Sequence, residues 1–130
     1  MGLLNKSIIK HIENRQNMKK TLLYIIALAF SIAVIVCSTE PPSVRVHNER
    51  TDKANVQIKT TTSTINQNDV NAGSTTNYQE VAEGNIEATA SIQNESFSPT
   101  ITFNATNDNN YTVVVVNSNP PTLRVDSSSK

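Results

Sequence analysis

Alternation of apolar and polar residues recurs between residues 43 and 126, and it leaves β-structure as the natural outcome for that part of the chain. Val44 and Val46 alternate with Arg45 and His47. Ala54, Val56 and Ile58 alternate with Asn55, Gln57 and Lys59, and Ile86, Ala88, Ala90 and Ile92 with Glu87, Thr89 and Ser91. The pairs Ile101/Phe103 and Leu123/Val125 repeat the pattern. A strand sends successive side chains to opposite faces, so a period of two buries one face and wets the other. Tyr111–Val116 is different, being apolar at most positions. Such a run predicts a central strand, covered on both faces and paired along both edges.

Turn-forming residues separate these runs. Asn48–Lys53 reads as a polar turn, and Thr60–Asn71 as a polar stretch with room for one short strand. Asn71–Ser74 and Asn107–Asn110 are rich in residues that tolerate left-handed backbone. Glu83-Gly84-Asn85 predicts a hairpin joining a strand at Tyr78–Ala82 to Ile86–Ile92. Pro120-Pro121 opens the last strand, where a missing donor does little harm. The expected fold is all-β: an antiparallel, immunoglobulin-like sandwich of seven or eight strands over residues 43–126, with residues 127–130 a disordered tail. With no Trp, three Phe and a single cysteine, the core must be Val, Ile and Ala, without an internal disulfide.

A different signal precedes the sandwich. Thr21–Val36 is uncharged and mostly apolar, it follows Lys19 and Lys20, and it ends on the lone Cys37. Met18 with its two lysines looks like a start, which makes residues 1–17 an upstream extension; a cytoplasmic tail is the alternative. Residues 18–37 are then a signal peptide or an N-terminal membrane-anchor helix. The run is longer than a usual cleaved core and shorter than the ~20 residues that span a bilayer. Val34-Ile35-Val36-Cys37 resembles the lipobox of bacterial lipoproteins, departing from it at Val36, where Gly, Ala or Ser is usual. The resemblance implies lipidation at Cys37; an uncleaved anchor and simple secretion stay open. Residues 38–42, with Pro41 and Pro42, read as an extended tether.

Charge agrees with export. Residues 1–37 carry five Lys/Arg against Glu13, whereas residues 38–130 carry six Lys/Arg against ten Asp/Glu. Positive residues flanking an apolar run stay on the cytoplasmic side. The acidic remainder offers no basic patch for phosphates, so nucleic acid is not an expected partner.

The order VRVHN, ANVQI, NAGSTTNYQEVAEGNIEATASI, TNDNNYTVVVV and TLRVD resembles a family of exported bacterial and archaeal β-sandwich domains catalogued as domain of unknown function 4397. The likeness spans about residues 43–126. It departs at Asn85-Ile86-Glu87 and at Asn109. It implies an exported sandwich carried on a lipoprotein or secreted chain, and it supplies no catalytic residues.

Little here points to chemistry. His47 falls on the predicted solvent face of the first strand and His11 before the leader, too few ligands for zinc. Glu80, Glu83 and Glu87 read as a solubilising cluster around one hairpin, and Asp108 as a turn residue lacking the spacing of a calcium loop. Neither a nucleophile motif nor a phosphate loop is present. Tyr78 is either a stacking platform for sugar or a core-edge residue with its hydroxyl on backbone, and the second is favoured.

The expectation is therefore a non-enzymatic structural or binding module without cofactor or metal. It is held in the cell envelope, outside the cytoplasm, by lipid or by the N-terminal helix, and it takes a protein or glycan partner. Its binding loops are expected at Thr60–Ser74 or Asn104–Asn110. A pilus- or adhesin-like subunit that pairs by strand addition and a cell-wall glycan-binding module are the alternatives.

Overall fold

The structure, a computed structural model, describes residues 2–32 and 38–130. The chain divides into two units, one ending at Ser38 and one comprising Thr39–Lys130. The first holds a single helix, α1 (Gly2–Ile32), which carries no proline and no glycine after its first residue. It runs without a break across Met18, so the extension and the first part of the leader form one element. Among the described residues no helix is long and apolar enough to cross a membrane. The reason is local: charges at Arg15, Lys19 and Lys20 leave only Thr21–Ile32 as described apolar helix. Residues 33–37, Cys37 among them, lie outside the described part.

The second unit is a β-sandwich of eight strands: β1 (Ser43–Asn48), β2 (Ala54–Lys59), β3 (Thr64–Val70), β4 (Gln79–Glu80), β5 (Gly84–Ile92), β6 (Thr100–Ala105), β7 (Asn109–Val116) and β8 (Thr122–Ser129). One sheet has the order β4-β1-β7-β8 and the other β3-β2-β5-β6. The alternating residues meet between them. Val44, Val46, Tyr111, Val113 and Val115 from the first sheet face Val56, Ile58, Ile86, Ala88 and Ala90 from the second, all buried. The core is thus Val, Ile and Ala with one aromatic, as the composition requires. Small side chains keep it thin, and each buried Val or Ile contributes roughly 1.5–3 kcal/mol of transfer free energy.

Five expectations need correction. Pairing is not wholly antiparallel, because β1 and β7 run parallel from Ser43↔Asn110 to Asn48↔Val115. The order also differs from the immunoglobulin one, which keeps its first two strands in one sheet; here β1 and β2 lie in opposite sheets. The connection at residues 49–53 passes from one sheet to the other, held there by buried Arg50 and Asn48.

Glu83-Gly84 is likewise a crossover and not a hairpin turn. The strand expected at Tyr78–Ala82 shrinks to β4, which pairs with β1, while β5 pairs with β2 and β6. Between them Val81 turns inward and is buried, and Gly84 takes a positive φ of 123° that favours glycine.

Residues 127–130 are ordered. Ser127–Ser129 pair with Asn109–Tyr111, and the Lys130 amide donates to the Asp108 carbonyl at 2.9 Å. Backbone bonds hold this end although no apolar residue marks it. The segment expected as a tether is also part of the sandwich from Glu40 onward. Pro42 is fully buried, its carbonyl accepts from Val81 N–H at 2.9 Å, and Lys130 Nζ donates to the Pro41 carbonyl.

Candidate functional site

The outer face of the β4-β1-β7-β8 sheet is built by register. With Val44 and Val46 committed to the core, Arg45 and His47 point outward, and so do Thr112 and Val114 on β7 and Arg124 and Asp126 on β8. The parallel pairing sets Arg45 beside Thr112 and His47 beside Val114. The antiparallel pairing then sets Thr112 opposite Asp126 and Val114 opposite Arg124. Two transverse rows result, Arg45–Thr112–Asp126 and His47–Val114–Arg124. Residues preceding β4 extend both rows, since Thr75 forms an isolated antiparallel bridge with His47 and the Tyr78 ring lies against Arg45.

These rows frame a recess of about 420 Å³, also lined by Ser127 and Ser128. Its floor is apolar: Val114 is 1 % exposed although it faces outward. The expectation that β7 is covered on both faces is met here by side chains, not by a further layer.

Arg45 is held in place from two sides. Its guanidinium carbon sits 4.4 Å from the Tyr78 ring centroid, and its Nε donates to Thr112 Oγ1 at 3.0 Å. A cation over an aromatic face gains from the ring quadrupole, and a held guanidinium loses less freedom when it binds. Among the described residues no carboxylate lies within ion-pair distance of Arg45. Arg124 contrasts with it. Its Nε and Nη2 donate to the two oxygens of Asp126 at 2.9 and 3.2 Å, and Nη2 also reaches Glu49 Oε1 at 3.1 Å. These bonds raise the Arg124 pKa, with Asp126 the larger cause, and the Arg124 bond holds the Asp126 carboxyl below its ordinary value.

His47 Nδ1 lies 2.7 Å from Thr75 Oγ1. The sequence carried no sign of this pair, whose members are 28 residues apart. A hydroxyl against an imidazole is half of a nucleophilic constellation, and the other half is a group that orients the ring. Among the described residues the imidazole has no carboxylate partner.

The other sequence candidates are dispersed. Glu80 is on β4 and Glu87 on β5, in different sheets, and Glu83 accepts from Asn107 Nδ2 at 3.1 Å. Among the described residues no three His, Cys, Asp or Glu side chains assemble to hold a metal ion. The loop expected at Thr60–Ser74 divides into a tight turn, the edge strand β3 and a second turn. In the first turn Thr60 Oγ1 accepts from Ser63 N–H at 2.9 Å. The loop expected at Asn104–Asn110 closes on itself, with Tyr111 Oη accepting from Thr106 N–H at 3.0 Å. Tyr78 is 39 % exposed on the sheet face, not tucked at the core edge. Alternation alone marks Arg45, His47, Arg124 and Asp126 as outward residues; their assembly depends on strand pairing, which alternation does not encode.

No family model matches the chain, and no curated protein matches it at a significant level.

Proposed function

We propose that the chain is a non-catalytic binding module displayed on the outer side of a membrane and held there through its N-terminal segment. The observation that carries this reading is the recess over β1, β7 and β8, where a guanidinium fixed by Tyr78 and Thr112 stands, among the described residues, without a carboxylate partner. A fixed, uncompensated cation on an open sheet face suits recognition, since positioning has been completed before the ligand arrives. The basic leader, the uncharged run to Val36 and Cys37 support tethering, with Cys37 as the acylated residue. The likeness to the exported domain family catalogued as domain of unknown function 4397 supports the same reading through its motifs.

Metabolic labelling with a palmitate analogue tests the tether. The full chain takes up label and Cys37→Ala does not; label retained in the alanine variant contradicts acylation at that residue.

A second reading is favoured by one observation. Among the described residues β8 is an eight-residue edge strand paired only with β7. An open edge can accept a strand from another copy, as in a pilus- or adhesin-like subunit. Concentration-dependent oligomers that vanish when proline replaces a β8 residue would support it.

A further inference from the structure

We infer that the β1–β7–β8 recess binds the carboxylate of an acidic sugar, with Arg45 as its principal contact; this rests on reading the chain as a displayed binding module. Charge is the first argument. Arg124 is already committed to Asp126 and Glu49, whereas among the described residues Arg45, the other arginine of this face, has no carboxylate on it and can take an anion. Its Nε is engaged by Thr112, which leaves the two terminal nitrogens, the pair that suits a planar carboxylate.

The charge of the ligand follows from the neighbours. Asp126 stands directly across Thr112 from Arg45, and the sandwich as a whole is acidic. A doubly charged phosphate would bring both charges to the Arg45–Asp126 step, whereas each carboxylate of an acidic sugar brings a single charge there. The rim decides the rest of the ligand. Thr75 and Ser128 offer hydroxyls, Val114 an apolar floor and Tyr78 a partly exposed ring. Hydroxyl donors and acceptors beside an aromatic ring match a polyhydroxylated ring with apolar C–H faces. A peptide fits less well. Peptides gain main-chain hydrogen bonds at a sheet edge, and the principal contacts here, Arg45, Thr112 and Val114, lie on β1 and β7, inside the sheet and away from the open edge of β8.

The test is titration of the full chain in detergent with a galacturonic acid trimer, read by calorimetry. Parallel titrations use a neutral galactose trimer, inorganic phosphate and a glutamate-rich peptide. The acidic trimer should bind, more weakly as salt rises, and the neutral trimer at least about tenfold more weakly. Arg45→Gln should cost about tenfold or more, and Arg45→Lys nearly as much, because lysine keeps the charge and loses the Thr112 bond and the forked geometry. Tyr78→Ala should weaken the trimer as well. Circular dichroism and thermal melting of each variant separate lost binding from lost folding. Lys59→Gln, on the opposite sheet, should leave binding unchanged.

Equal binding of both trimers, tighter binding of phosphate or of the peptide, or binding of the acidic trimer that survives Arg45→Gln overturns the inference. So does absence of any acidic-trimer binding by the folded chain. Palmitate labelling at Cys37 in the same preparation keeps the two readings apart. Label without trimer binding defeats the sugar site and leaves the tether, and trimer binding without label does the reverse.

Discussion

Glu40 and Asp108 grip each other in both directions. The Glu40 amide donates to Asp108 Oδ1 at 2.8 Å, and the Asp108 amide donates to the Glu40 carbonyl at 2.9 Å. Asp108 does this from a left-handed backbone at φ 61°, a conformation that Asp and Asn tolerate better than most residues. Lys130, which also donates to the Pro41 carbonyl, approaches Glu40 at 3.5 Å and closes the clasp from the C-terminal side. The sandwich therefore begins within a few residues of Cys37, with no free tether of the length the prolines suggest.

Two substitutions separate the parts of this clasp. Asp108→Gly removes the side-chain bond and accepts the backbone. Asp108→Ala removes the bond and adds a left-handed Cβ penalty. The alanine variant should be less stable than the glycine one by about 1 kcal/mol in urea unfolding. Both should be cut faster than wild type by protease at residues 38–42.

Asn48 is the most demanding polar residue in the interior. It is fully buried at the end of β1; its Nδ2 donates to the Asp52 and Val70 carbonyls at 2.8 and 3.0 Å, and its Oδ1 accepts from Arg50 N–H at 3.0 Å. Asn48→Ala strands three backbone groups, and urea unfolding should show a loss of about 2–4 kcal/mol.

Tyr111 joins the core to the turn before β7. Its ring lies 5.2 Å from that of Phe103, and its hydroxyl accepts from Thr106 N–H. Tyr111→Phe keeps the ring and loses the acceptor, so stability should fall by about 1 kcal/mol. A larger loss would mean that the hydroxyl also orders the turn.

The Arg124–Asp126 bond has a pH signature. Asp126 titrates below the ordinary carboxylate value because Arg124 bonds its charged form. The associated stabilisation is complete above the unfolded carboxylate pKa and disappears as pH falls through the lower, folded value. Carboxyl-carbon NMR titration should find Asp126 depressed in the wild type and restored toward its ordinary value in Arg124→Gln. The groups are exposed, so the titration midpoint is the readout and not the melting temperature.

Much of the sandwich was legible because burial leaves a trace in residue type. Val44/Val46, Val56/Ile58, Ile86/Ala88/Ala90 and Val113/Val115 marked their strands and their inward faces. Partners left no such trace. Whether β1 lies beside β2 or beside β7 depends on where residues 49–53 cross, and the cause there is a polar pair, Asn48 and buried Arg50, which from the sequence reads as an ordinary turn. The hairpin expected at Glu83–Asn85 failed for a related reason. Val81 belongs to the core while the chain passes between sheets, and an inward valine looks the same in a crossover as in a strand. The last residues were missed because Ser127–Ser129 are held by backbone bonds alone. The recess shared this fate: its members were visible as outward residues, and the parallel pairing that gathers them was not.

The most direct test of the account is the side of the membrane on which the sandwich resides. A reporter phosphatase that becomes active only outside the cytoplasm, fused after Lys130 of the full chain, should be active in intact cells, and its activity should fall when Lys19 and Lys20 are moved to the far side of the Thr21–Val36 run. An inactive phosphatase, together with activity from a cytoplasm-only reporter fused at the same point, would contradict it.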